Sequence, residues 1–124
     1  MADRKILTPD ATHPITIGRC LSTVVVRKGS LHIARTGSAL TLVEASYPPV
    51  HYVPRHDVDM SLLERSQHTS YCPYKGEASY YSIPALGEAG RNSVWTYETP
   101  FDAVGGIAGY LAFYPDRMEI ELAD

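Results

Sequence analysis

Apolar and polar positions alternate in short runs along this chain, and no apolar spacing of three and four residues persists long enough for a substantial helix, so short strands are predicted throughout. Ile15 to Gly18 opens the series. Thr23 to Arg27 follows, where Val24, Val25 and Val26 in succession suit a strand covered on both faces. Lys28-Gly29 turns it into Leu31 to Ala34, with Leu31 and Ile33 on one face and a glycine free to take the positive φ that a tight hairpin needs. Ala39 to Ala45 fits both periods: Leu40 and Leu42 alternate as in a strand, while Leu40, Val43 and Glu44 match a helical turn. The strand is the expectation taken here. Tyr47-Pro48-Pro49 excludes a helix through that point, and Val50 to Val53 makes a short strand closed by Pro54.

Asp57 to Glu64 carries a helix start, since Ser61 and Glu64 have capping-box spacing and Asp57 and Asp59 favour the positive helix end. Gly76 to Ile83 is a strand, and Ser93 to Glu98 is its expected antiparallel neighbour across the Pro84 to Asn92 loop. Regular alternation places Lys75, Glu77, Ser79 and Tyr81 on one face, and puts Trp95 and Tyr97 together. A helical turn is expected at Asp102 to Ile107. Tyr110 to Tyr114 and Arg117 to Leu122 read as a closing hairpin around Pro115-Asp116, with Met118, Ile120 and Leu122 on its dry side. About eight short strands and one or two helical turns predict a mainly β, small single-domain antiparallel sheet or barrel. Residues 1–12 read as a flexible N-terminal tail and residues 13–124 as the domain.

Composition narrows the function classes. A chain of 124 residues suffices for one core without metal or disulfide staples, and 44% hydrophobic with 20% charged residues is ordinary globular content. The net charge of -3 supplies no broad basic field, so nucleic acid is not an expected partner. No apolar run approaches the roughly 20 residues of a membrane helix, and the N-terminus lacks an apolar signal core, so no membrane partner and a cytoplasmic setting are expected. Cys20 and Cys72 are then free thiols. Nine tyrosines against two phenylalanines supply aromatic area with polar tips, which suits a polar-lined cavity or a wet interface. Tyrosine used simply as a strand former is the plainer explanation.

The chemistry concentrates between Ser66 and Ile83, where His68, Cys72, Lys75 and Glu77 stand among Tyr74, Tyr80 and Tyr81. Lys75 and Glu77, flanked by tyrosines and facing Trp95, would present a cation, an acceptor and flat walls to a small anionic or heterocyclic ligand. A structural ion pair is the competing reading. Cys72 precedes Lys75 by three residues, a spacing that lowers a thiol's pKa where the two tips meet, with His68 as the nearest base; an inert buried thiol is the plainer reading. Arg35 offers a bidentate guanidinium to an anion, or pairs with Glu44 or Asp57, and Glu98 is a second carboxylate that would converge with Glu77. His51, His56, His68 and Cys72 lack the paired short spacings of a zinc site, so no metal or other cofactor is expected.

The order Pro48-Pro49, Tyr52, Pro54, Asp57-Val58, then His68-Thr69, Cys72-Pro73, Lys75-Gly76, Ala78 and Tyr80-Tyr81, then Trp95 with Tyr97-Glu98, and finally Gly109-Tyr110-Leu111-Ala112-Phe113-Tyr114, closely resembles the domain-of-unknown-function family 427, also labelled nucleotidyltransferase-like. The resemblance runs from about His13 to about Arg117. It implies a stand-alone, mainly β domain of bacteria and fungi, compatible with the β-tent-like sheet architecture of several zinc-binding families, and it brings no catalytic residue to carry over. Nucleotidyl transfer needs a Gly-Ser turn for phosphates and two acidic residues one position apart on a strand for metal. Gly37-Ser38 and Asp57-Val58-Asp59 mimic those pieces, yet the acidic pair follows Pro54 and reads as helix entry.

The leading expectation is therefore a polar, tyrosine-lined pocket for a small anionic or nucleotide-like ligand, bound through Arg35, Cys72, Lys75, Glu77, Tyr80, Trp95 and Glu98. The alternative is a protein-protein or self-association module, such as a homodimer, with a structural ionic cluster. An enzyme working through Cys72 or Glu77 is the third.

Overall fold

A computed structural model describes residues 4–123; the first three residues of the predicted tail and Asp124 lie outside the described residues. The chain is mainly β, built of three antiparallel sheets, none of which closes into a barrel among the described residues. Strands β1 (Ile15–Arg19), β4 (Leu40–Glu44) and β5 (Val50–Tyr52) form the first, in the order β1-β4-β5. The second joins β2 (Thr23–Lys28) and β3 (Leu31–Thr36) to the last strand, β10 (Glu119–Ala123), in the order β10-β2-β3. The third runs β6 (Glu64–Cys72), β7 (Gly76–Ser82), β8 (Val94–Thr96) and β9 (Leu111–Phe113).

The local reasons are those of the sequence. Gly29 at φ 59 makes the β2–β3 hairpin turn, and a register shift beside Val26 and Arg27 marks a bulge. Val24, Val25 and Val26 are all buried, as a strand covered on both faces requires. Among the described residues, four short 3-10 segments interrupt the strands, at Arg55–Asp57, Met60–Leu62, Pro84–Gly90 and Asp102–Ile107. The Pro84–Gly90 segment occupies what the sequence presents as an irregular loop; Gly90 lies there with no room for a Cβ, which would stand 2.1 Å from the Ile83 carbonyl oxygen.

Two expectations need correction. The closing hairpin does not form: the Tyr114–Arg117 turn is present, with the Arg117 amide donating to the Tyr114 carbonyl at 3.0 Å, but β9 pairs with β8 while β10 pairs with β2. The chain diverges because β2 offers an open edge, flanked by Arg27, which receives Glu119 and Glu121 at 3.0 and 2.6 Å. The longest strand, β6, was not visible as one: seven of its nine residues, Glu64 to Ser70, are polar, which an edge strand with one wet face allows.

Two apolar clusters fill the interior. One gathers Val24, Val26, Ile33, Val53, Ile83, Val94, Leu111 and Phe113 between the second and third sheets. The other is aromatic: Tyr52, Tyr80 and Tyr97 pack with Leu42, Val104 and Ile107 where the first and third sheets meet. The candidate site stands on this second cluster.

Candidate functional site

The turn Cys72-Pro73-Tyr74-Lys75 joins β6 to β7, with the Lys75 amide donating to the Cys72 carbonyl at 3.2 Å. Gly76 follows at φ 108, a conformation that side chains other than glycine's rarely adopt. This residue breaks the alternation expected through Lys75 and Glu77. The Lys75 carbonyl is held by the Phe101 amide at 3.0 Å, and its side chain turns inward on the side of Tyr80, whereas Glu77 turns out. Lys75 is 9% exposed and bonds Glu44 at the end of β4. Glu77 instead meets Arg4 at 3.0 Å on the surface.

Glu44 has a second partner. Asp10 accepts from the amides of Thr12 and His13 at 2.9 and 3.1 Å, closing a turn that aims His13 along the extension of β1, whose Ile15 is in register with Glu44. His13 Nε2 lies 2.8 Å from Glu44 Oε2, and the Tyr74 ring stacks on the imidazole at 4.1 Å and 5°. Burial works to raise the Glu44 pKa, but the hydrogen bonds and charges of Lys75 and His13 outweigh it and hold the carboxyl below its usual range.

Beside this ionic trio opens a pocket of about 250 Å³. Tyr52, Tyr80, Tyr97 and Tyr114 give it a phenolic lining, and Trp95 forms an aromatic wall. The Trp95 indole donates to the Tyr52 hydroxyl at 3.3 Å, and its ring lies 4.6 Å from that of Tyr114, tilted by 45°. The Tyr80 hydroxyl lies 2.9 Å from Ser70 Oγ and 3.4 Å from the Tyr114 hydroxyl. Burial pushes Tyr52 up to about 12 and also raises Tyr97 and Tyr114. At neutral pH these phenols are therefore uncharged and keep their O–H donors.

Of the residues singled out from the sequence, the structure brings Lys75, Tyr80 and Trp95 to this pocket. Cys72 lies beneath it, half-buried against the tyrosine cluster and outside the lining. His68, four positions earlier on the same strand, is on the order of 13 Å along it from Cys72, and packs its ring against Tyr80 at 4.6 Å. Glu98 is exposed and held by Arg65 at 2.9 Å, which keeps its carboxyl below the ordinary range. Arg35 stands exposed on β3, in a shallow groove with Asp57 and Asp59 and away from the pocket. Tyr81 faces the other cluster and takes a hydrogen bond from Arg55 at 3.0 Å.

The acidic pair is engaged locally: Asp57 accepts from the Thr36 hydroxyl at 2.7 Å, and Asp59 caps the Met60–Leu62 turn through the Ser61 amide. Among the described residues no three His, Cys, Asp or Glu side chains gather where one cation would reach them all. His51, for example, is spent on Thr41 at 2.9 Å. No described helix is long and apolar enough to cross a membrane. Sequence reasoning missed His13, Tyr52 and Tyr114, and treated Glu44 only as a partner for Arg35. The Asp10-x-Thr12-His13 turn is the one local signal for His13, and nothing local ties it to Glu44.

Residues 16–124 match a family model described as a domain of unknown function (DUF427). No match was found among curated proteins.

Proposed function

The chain belongs to the DUF427 family, and we propose that its tyrosine-lined pocket binds a small anionic molecule whose charged group meets the Lys75 ammonium. The observation that carries this is a nearly buried lysine at the wall of an aromatic hollow. Its ammonium has three donors, of which Glu44 takes one. Neutral phenols add further donors, and Trp95 and Tyr114 offer a surface for a flat or apolar body. A hollow of about 250 Å³ falls just below the range of drug-sized clefts, which favours a small carboxylate or phosphate ester over a whole nucleotide.

The self-association reading has less support. Among the tyrosines only Tyr47 is exposed, so no flat tyrosine face is presented to a partner. The enzyme reading lacks a base for Cys72 in His68, and Glu77 points to solvent with Arg4.

A thermal-shift screen of small carboxylates, sugar phosphates and nucleotides tests the proposal, because a ligand at a hundredfold excess over its Kd stabilises the native state by about 2.7 kcal/mol. Lys75→Met alone leaves Glu44 in a half-buried place with His13 as its remaining partner, so the doubly substituted chain, Lys75→Met with Glu44→Gln, is the informative variant. It should fold and lose the response to every anion that stabilises the unaltered protein. A double variant that responds in full removes Lys75 from the site.

A further inference from the structure

The polar pocket does not stand alone. A second cleft, of about 460 Å³, adjoins it and shares Tyr47, Pro48, Val50 and Trp95 as a common wall. Its remaining lining is of another kind: Pro49 and His51 from the segment around β5, Phe113 and Pro115 at the end of β9, and Ile120 and Leu122 from β10. Apart from Tyr47 and His51 these side chains are all apolar or carry one indole N–H, and no lysine, arginine, aspartate or glutamate lines the cleft. His51 is half-buried and bonded to Thr41, and burial lowers its pKa, so at neutral pH it adds no charge. Leu122 is 53% exposed at the rim.

A charged end and a dry end thus meet across the Tyr47–Trp95 wall. Resting on the reading of the first pocket as an anion site, we propose that the ligand is an amphipathic acid: a carboxylate head at Lys75, and an alkyl or aryl-alkyl tail laid past Trp95 into the cleft between β5, β9 and β10. The geometry selects against both halves taken separately. A short acid leaves the apolar cleft to water, and a neutral hydrocarbon leaves the ammonium with Glu44 alone. The pairing accounts for the position of Trp95, which packs against the tyrosine cluster on one side and faces the cleft on the other. It also accounts for a leucine that stays 53% exposed on the face of β10 that carries Ile120, opposite Glu119 and Glu121.

Trp95 is the sole tryptophan, so its fluorescence reports binding directly. Straight-chain alkanoates from butanoate to decanoate, below their micelle concentrations, are titrated alongside alkanols of matched length. Affinity of the acids should rise by up to about fourfold for each added methylene, the fold-change that about 0.8 kcal/mol of transfer free energy corresponds to. Leu122→Ser, a change at an exposed rim position, should flatten that slope and leave the shortest acids unaffected. Matched alkanols should bind at least tenfold more weakly. Short acids that bind through Lys75 with no gain from lengthening would overturn the tail site while leaving the anion pocket standing. Equal binding of acids and alkanols would overturn both. A concentration-dependent dimer abolished by Leu122→Ser, with no uptake of any acid, would make the cleft a contact between copies of this chain and overturn the proposal.

Discussion

Glu44 decides the charge balance of the site. It ties Lys75 on one side to His13 on the other, each 31 residues away along the chain, and its side chain is only 15% exposed. Its folded pKa lies below the ordinary value of 4.5, so the stability it contributes is fully present above that value and is lost as pH falls through the folded pKa. Glu44→Gln should accordingly cost about 1.5–3 kcal/mol at pH 7, the range for a hydrogen bond to a charged partner. The gap between the two proteins should close as the pH is lowered from about 5 towards 3. Urea midpoints of both at several pH values measure this, and a gap that stays constant down to pH 3 would show that the carboxylate is not stabilised by its partners. Lys75 was legible in the sequence because a cation amid tyrosines is costly without a purpose. Its acid was not, because Glu44 on β4 and Lys75 before β7 belong to different sheets, and a pairing made by packing one sheet on another leaves no mark near either residue.

At the scale of elements, the position of one glycine reassigns the site. Alternation counted through Lys75 and Glu77 put both on one face, and the count fails at Gly76, whose φ of 108 lies outside the extended region. The backbone there passes close to Thr99 and Phe101, so Lys75 swings towards β4 and Glu77 is left outside. Gly76→Ala should destabilise the protein by about 1–3 kcal/mol through backbone strain. It should also weaken ligand binding more than an exposed alanine substitution does, since relief of the strain would rotate Lys75 away from the pocket. Chemical denaturation and ligand titration of the variant check both effects, and unchanged stability would mean that the turn relaxes freely. The strands that sequence located to within a residue or two, β1 to β5 and β7 among them, have two faces that differ in polarity or are both dry. The polar β6 escaped notice for the opposite reason, its apolar content being too low to show a period. The misassigned hairpin at Pro115 shows a different limit: a turn signal fixes where the chain reverses and says nothing of which strand then receives it.

For the whole molecule, the consequence is that first and last parts of the chain close one another. β10 covers the outer edge of β2 in the register Glu119↔Arg27 to Ala123↔Thr23, contacts made across more than 90 residues of sequence. Met118, just before it, is 4% exposed in the core, and Ile120 packs against the same cluster. The ion pairs of Arg27 with Glu119 and Glu121 are partly exposed and contribute under about 1 kcal/mol each, so the strand is held chiefly by its ladder and by the burial of Met118 and Ile120. Without it, β2 would present an unpaired edge with Val24, Val25 and Val26 in succession, an apolar β segment of the kind that recruits other chains. A chain ended at Arg117 should therefore be recovered mainly as aggregate. Whatever remains soluble should unfold at markedly lower urea and bind long-chain acids no more tightly than short ones, since Ile120 and Leu122 leave with the strand. Glu119→Gln with Glu121→Gln, which removes the charges and keeps the strand, should elute from size-exclusion chromatography as the unaltered protein does. A truncated chain that elutes without aggregate, with an unchanged urea midpoint, would show that the second sheet closes without β10 and that the core gains nothing from its return.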